Sequence, residues 1–257
     1  MSKLGDAQRR GSDGVEEAAA FLKERYASIA RGRDLQLNAA WWVPGDLTNG
    51  RTSLIVDPPN GRLPDRTVEG TARLTTLSVP LTRRAADGPE DRERYERCIM
   101  GRSVPMDARP APRLMQIFQT THTVALLNEQ NSELRVVPID GGPRLVDTIR
   151  LWRGDGRGHW DGDTLVVETT NFNGKWTFHG AGRDMTLVER LSFIDVNTLQ
   201  YEFTVTDAAS FTSPWTVQFP ILRAAGPLYE NACHEGNYSM PLILRGARVE
   251  EAAADKR

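Results

Sequence analysis

The feature that most constrains this 257-residue chain is a series of strand-like segments between Arg157 and Tyr238, with turn signals about ten residues apart. In GRGHWDGDTLVVETTNF, an Asp/Gly turn at residues 160–163 precedes the β-branched and apolar run Thr164 to Thr170, which predicts a hairpin. The pattern repeats in MTLVERLSFI (185–194), TLQYEFTV (198–205), WTVQFPIL (215–222) and LYENACHE (228–235). This spacing predicts one antiparallel meander in a sandwich or barrel.

Three further strands are predicted upstream, in LMQIFQT (114–120), THTVALLNE (121–129) and ELRVVPID (133–140). Residues Val15 to Arg31 carry apolar side chains at helical spacing behind an acidic first turn, which predicts a helix. The segment 65–113 is rich in charge and proline and has little periodicity. A long irregular segment of this kind is expected to cover a scaffold or a site.

These elements predict a mainly β protein, an antiparallel lipocalin-like β-barrel or a closely related sandwich. We expect three parts in the chain: an N-terminal extension with a helix (1–37), a single β-barrel domain (38–250) and a charged tail (251–257). The helix and the 65–113 segment are expected to cover the barrel mouth.

The composition argues against several classes of partner. The formal net charge is −2 and the acidic and basic residues are scattered, so neither nucleic acid nor an anionic membrane is expected to bind. No apolar run reaches 18 residues and the first residues are polar, so we expect a cytoplasmic protein without a membrane span. Cys98 and Cys233 could form one disulfide if the protein met an oxidising compartment.

Several motifs resemble those of a large, mostly secreted family of soil-bacterial proteins. The resemblance covers roughly residues 38–250 and is carried by RTSLIVDPPNGRLP, QIFQT, VVPIDGGPR, GHWDGDTLVVETTNF, LVERLSF, YEFTV, PWTV and YENACHEGNY. It implies homology and a β-rich fold, but no reaction. This chain departs from the family in lacking a secretion signal, in having Asn131-Ser132-Glu133 where a histidine is expected, and in having His122 and His179.

No nucleotide, zincin, serine-hydrolase or dithiol motif occurs, so no cofactor is expected. The closest approach to metal-ligand spacing is the adjacent trio Cys233-His234-Glu235, and this weak pattern leaves a metal site as a minor alternative.

Glu189 shares a strand face with Leu187 and Leu191, and a carboxylate in such surroundings needs a partner. Arg190 points to the opposite face, so a histidine or arginine on another strand is expected to pair with Glu189. The pair could be a structural ion pair or part of a catalytic site. His234 likewise could fix the loop that ends at Tyr238 or take part in catalysis.

His122 shares its face with Val124 and Leu126 and could point into an apolar interior, where its pKa would be movable. His179 precedes a glycine-rich turn, and both histidines could instead be exposed bystanders. We predict that His122, His179, His234, Glu189 and Tyr238 move protons. A second set of residues is predicted to hold the substrate, although for the Trp41-Trp42 pair core packing is the favoured role; the set is Trp41, Trp42, Trp176, Tyr201 and Trp215.

A cavity lined by aromatic, histidine and glutamate side chains can fold a hydrophobic molecule and transfer protons without a cofactor. The first hypothesis is therefore a cofactor-independent cyclase, isomerase or dehydratase of the specialised-metabolite type. The second is a non-catalytic small-molecule binding protein that uses the same cavity, and the third is a metal-assisted lyase.

Overall fold

The computed structural model describes residues 53–77, 86–99, 104–106, 114–139, 141–224 and 226–255. This part of the chain is mainly β, and none of its helices is long and apolar enough to cross a membrane. Its α-helices are α1 (Val68–Leu77) and α2 (Ser239–Ala254), and short 3-10 helices span Pro89–Asp91 and Gln130–Ser132. Its strands are β1 (Ile55–Asp57), β2 (Met115–Gln119), β3 (Thr123–Asn128), β4 (Glu133–Pro138), β5 (Asp155–Asp161), β6 (Thr164–Thr170), β7 (Thr186–Asp195), β8 (Thr198–Thr206) and β9 (Trp215–Leu222).

A six-stranded sheet has the order β1-β9-β8-β7-β6-β5, and every neighbouring pair in it is antiparallel. Strands β5 to β9 follow each other along the chain, which confirms the predicted meander up to residue 222. Alternate residues of β8 are buried, and these are Leu199, Tyr201, Phe203 and Val205. This period of two places one face of the sheet against the core.

Strands β2, β3 and β4 form a second antiparallel sheet. Its buried residues Val124, Leu126 and Val137 belong to the same hydrophobic core as the inner face of the larger sheet. Beyond β4, Ile139 makes a single parallel bridge to Gly158 of β5. The two sheets therefore share one core and meet at one bridge.

The predicted closed barrel is not found among the described residues. Strands β1 and β5 end the larger sheet and β2 and β4 end the smaller one. Closure needs a continuous ladder between end strands, and the one bridge between Ile139 and Gly158 does not supply it.

Two glycines of β5 allow the smaller sheet to approach closely. A Cβ atom on Gly158 would lie 2.6 Å from Cδ1 of Ile139, and one on Gly156 would lie 3.3 Å from Nη2 of Arg135. The alternation Gly-Arg-Gly thus leaves the inward positions 156 and 158 of β5 without side chains, and the side chains of Arg135, Val137 and Ile139 occupy the space.

Helix α1 lies in the segment 65–113, where no helix near residue 70 was predicted. Thr67 caps it, because its Oγ1 accepts a hydrogen bond from the Gly70 N–H at 2.9 Å. A Cβ on Gly70 would lie 2.2 Å from the carbonyl oxygen of Ser210, so only glycine allows this contact between the helix and the 207–211 turn.

The C-terminal region differs from the prediction in two ways. Residues 228–235 form no strand, since 228–232 have no regular secondary structure and 233–235 lie in a turn, and α2 runs across the expected boundary at residue 250. The predicted helix Val15 to Arg31, like the whole 1–37 extension, lies outside the described residues.

The C-terminal segment 226–255 makes a covalent bond and several hydrogen bonds to the segment 86–99. A disulfide joins Cys98 to Cys233, and Nδ2 of Asn237 donates to the carbonyl of Glu96 at 2.6 Å. Arg248 donates to the carbonyl of Asp87 at 3.0 Å. No residue of α2 is buried.

Candidate functional site

Glu189 lies in the middle of the inner face of the six-stranded sheet. Its cross-strand neighbours are Val167 and Phe203, and only 1% of its surface is exposed. A carboxylate surrounded by apolar side chains carries a large desolvation cost unless it is paired and hydrogen-bonded. The position of Glu189 therefore requires specific partners.

Arg135 of β4 supplies the opposite charge from the other sheet. Its Nη2 lies 2.5 Å from Oε2 of Glu189 and also donates to Oγ1 of Thr169 at 2.7 Å. The prediction of a histidine or arginine partner on another strand is thus confirmed. Arg190 instead pairs with Asp161 at 2.8 Å on the exposed side of the sheet.

Tyr201 completes the cluster around Glu189. Its hydroxyl donates to Oε1 of Glu189 at 2.7 Å and accepts a hydrogen bond from the Met106 N–H at 3.0 Å. Burial, reinforced by repulsion from Glu189, raises the pKa of Tyr201 well above its usual value of 10.0. The phenol therefore remains a hydrogen-bond donor at neutral and mildly alkaline pH.

The guanidinium of Arg135 is fully enclosed. Burial is the largest single influence and lowers its pKa, but the attraction and hydrogen bond to Glu189, together with smaller contributions from Tyr201 and Glu133, give a net raised pKa. Its Nη1 is buried and has no hydrogen-bond partner among the described residues. Arg135 thus keeps its charge and has donors left over.

An aromatic group extends from this cluster along the inner face. Ring centroids are 5.7 Å apart for Tyr201 and Phe203, 6.0 Å for Phe203 and Trp215, and 5.7 Å for Trp215 and Phe178. The Nε1 of Trp215 is also buried without a hydrogen-bond partner in this part of the chain. We call these four rings the aromatic wall. Its surface is apolar apart from single polar donors such as the Trp215 Nε1.

Of the three predicted catalytic histidines, His179 is the one with a described contact to this aromatic wall. Its ring packs edge-on against Phe178 at 4.7 Å and Trp215 at 5.8 Å between centroids. The residue is exposed and has a left-handed backbone with φ of 53°. His179 therefore lies at the outer end of the aromatic wall, while Glu189 and Tyr201 lie inside.

His122, His234 and Tyr238, which were also predicted to move protons, lie on the surface. His122 precedes β3 and is exposed, because the buried alternation begins only at Val124. The expectation that it points into the interior is wrong. His234 is exposed and Tyr238 has 74% of its surface exposed, both in the turn before α2.

Among the predicted substrate-binding residues, Tyr201 and Trp215 line the wall described above. Trp176 is buried separately, where its Nε1 donates to the carbonyl of Trp152 at 2.6 Å and Arg94 lies 4.5 Å from its ring centroid. These contacts give Trp176 a packing role. Trp41 and Trp42 lie outside the described residues.

No group of three or more histidine, cysteine, aspartate or glutamate residues within the described ranges could hold a metal ion. Cys233 is joined to Cys98, so its sulfur is not present as the thiolate that metal binding needs. The adjacent trio 233–235 is therefore unsuited to a metal as it stands.

Arg135 and Thr169 were missed as site residues by the sequence reasoning. A usable signal was present, because Glu133 and Arg135 have the same alternation as Val137, a buried position. Charged residues at buried positions of a strand mark a polar cluster.

Comparisons with known proteins found no matching family model, no matching curated protein and no matching solved structure. The resemblance to a soil-bacterial family therefore stays a prediction.

Proposed function

We propose that this protein is a cofactor-independent isomerase, cyclase or dehydratase that acts on a hydrophobic small molecule. The observation that carries the proposal is the 2.7 Å hydrogen bond between Tyr201 and Glu189, buried beside an aromatic wall. One partner is a proton donor and the other a proton acceptor, and they touch in a site shielded from bulk water.

The pair can complete a proton-transfer cycle by itself. Glu189 takes a proton from one atom of the substrate while the Tyr201 hydroxyl gives a proton to another atom. The proton on Glu189 then passes to the tyrosinate along the hydrogen bond, which restores both groups. For a dehydratase, the Tyr201 proton goes to the leaving hydroxyl and water departs.

Arg135 has a positioning role in this scheme. Its ion pair balances the charge of Glu189 and its hydrogen bond to Thr169 fixes the guanidinium. The aromatic wall would hold the apolar body of the substrate, since stacked and edge-on rings offer a large rigid contact surface. His179, at the outer end of that wall, could exchange protons with solvent.

The proposal needs an enclosed interior. We infer that the substrate binds between the two sheets, whose buried residues form one core, and a lipocalin-like closure would enclose it further. The cytoplasmic location also stays a prediction. The Cys98–Cys233 disulfide does not support it, because disulfides are more typical of oxidising compartments.

The test is to incubate the protein with a panel of conjugated polyenes and polycyclic ketones and to search by mass spectrometry for products isobaric with the substrate or lighter by one water. We expect Tyr201→Phe and Glu189→Gln to lose about 10²- to 10⁴-fold in rate. The control is Tyr229→Phe, whose ring is 67% exposed. A folded Tyr201→Phe variant within about threefold of the wild-type rate, far below that range, would refute the acid/base assignment.

A non-catalytic binding protein is the second candidate. It is favoured by the buried donors Arg135 Nη1 and Trp215 Nε1, which have no hydrogen-bond partner among the described residues. Donors of this kind orient a ligand by its oxygen atoms without any proton transfer. Quenching of tryptophan fluorescence by a compound that is never converted would favour this candidate over the enzyme.

A further inference from the structure

Strand β2 ends the smaller sheet, and no strand among the described residues pairs with its outer edge. We infer that a second copy of this chain pairs with that edge, so that the two copies form one continuous sheet across β2. The inference goes beyond the proposed function, because it involves neither Glu189 nor the side chains that contact it.

The hydrogen bonds between β2 and β3 show which backbone groups of β2 do not bond to β3. The Thr120 N–H donates to the Thr123 carbonyl at 2.8 Å, and the Glu129 N–H donates to the Leu114 carbonyl at 2.9 Å. Hydrogen-bonded pairs alternate along an antiparallel ladder, so residues 114, 116, 118 and 120 bond to the β3 side. The N–H and C=O groups of Met115, Ile117 and Gln119 therefore point to the open edge.

The composition of β2 does not protect this edge. Its sequence MQIFQ has no charge, proline or bulge, and Ile117 and Phe118 are 40% and 47% exposed. The other long end strands differ, since β4 contains Glu133 and Pro138 and β5 contains charged residues at both ends. Exposed edges without charge or proline are templates for pairing with another strand.

The sequence of β2 suits pairing with its own copy. In an antiparallel pair centred on Ile117, the two Ile117 residues exchange N–H···O=C bonds, Gln116 faces Phe118 and Met115 faces Gln119. No like charges meet, although charged residues make up 26% of the chain. The contact is the same from both sides, so assembly stops at a dimer.

The test is the mass of the full chain by sedimentation velocity over a range of protein concentrations. We expect a dimer for wild type, and a dissociation constant raised by about tenfold or more in Ile117→Pro, which removes two edge hydrogen bonds. Proline at 117 leaves the β2–β3 ladder intact because that N–H faces outward. Ile117→Lys should act similarly by placing two charges at the symmetry axis.

The matched control is Val136→Lys, which adds the same charge to an exposed residue of β4 in the same sheet. It should remain dimeric, and near-ultraviolet circular dichroism should show native packing in every variant. Wild type that stays monomeric at all concentrations would overturn the inference. So would dissociation by Val136→Lys with both Ile117 variants still dimeric, since the contact would then use the outer face and not the edge.

Discussion

Arg135 and Glu189 form an ion pair that joins the two sheets through the middle of their shared core. The charges come from β4 and β7, and neither side chain is more than 7% exposed. A buried pair of this kind contributes little net stability over an apolar pair, but breaking it leaves a charge without compensation. The pair therefore determines the relative position of the two sheets more than it stabilises their packing.

Removal of one partner should be costly. We expect Arg135→Met to lower the free energy of unfolding by about 3 to 5 kcal/mol, because Glu189 then stays buried and unpaired. The double variant Arg135→Met/Glu189→Leu should recover most of that loss. Urea unfolding measures both, and a single variant within about 1 kcal/mol of wild type would contradict the uncompensated-charge argument.

Two glycines inside helices should respond to alanine with opposite signs. Gly70→Ala places a Cβ against the backbone of Ser210, so we expect a loss of about 1 to 3 kcal/mol despite the better helix propensity. Gly246 in α2 has no atom within 4 Å of its Cβ position, so alanine should stabilise the helix by up to about 1 kcal/mol. Thermal unfolding of both variants tests the prediction, and equal shifts would refute it.

Tyr201 should make stability depend on alkaline pH. Because its pKa is raised in the folded protein, the unfolded chain loses the phenol proton first, from about pH 10 upward. The stabilising contribution is therefore complete below pH 10 and falls by about 1.4 kcal/mol per pH unit above it. The urea concentration at the unfolding midpoint should fall between pH 8 and a pH above 10, and this fall should be smaller in Tyr201→Phe than in wild type. If the stability of Tyr201→Phe falls with pH as steeply as that of wild type, a group other than Tyr201 causes the effect.

Reduction of the Cys98–Cys233 disulfide should loosen the C-terminal segment before the sheets. Its other described contacts include hydrogen bonds such as Asn237 to Glu96 and an ion pair between Arg248 and Asp87, and α2 buries no residue. We expect faster tryptic cleavage at Arg245 and Arg248 in reductant, with β6 to β9 still protected. The variant Cys98→Ser/Cys233→Ser should be cleaved fast in either condition. Equal cleavage of wild type with and without reductant would disprove this.

The sequence predicted what depends on local patterns. Strands β7 to β9 alternate with a period of two, the run from Thr164 to Thr170 is β-branched and apolar, and turn residues separate these segments, so their positions and antiparallel order followed directly. The same alternation placed Glu189 on the buried face and required a partner for it. Closure depends on how β4 meets β5, a long-range relation that no local pattern encodes.

The candidate site was predicted in part for the same reason. Glu189, Tyr201 and Trp215 were expected and occupy the inner face, whereas Arg135 reaches them from a different sheet and was missed. His122 has the alternation of a buried position, but it precedes the first residue of β3 and solvent reaches it. Strand ends are where alternation stops predicting burial.

The disulfide between Cys98 and Cys233 also has a topological result, because all strands from β2 to β9 lie within the loop that it closes. A single peptide-bond cleavage anywhere between these cysteines opens a ring without separating the molecule into two. Such a nicked chain would have the mass of the intact protein plus one water until the disulfide is reduced. New chain ends could therefore be introduced in a loop between two of these strands while the halves stay covalently joined.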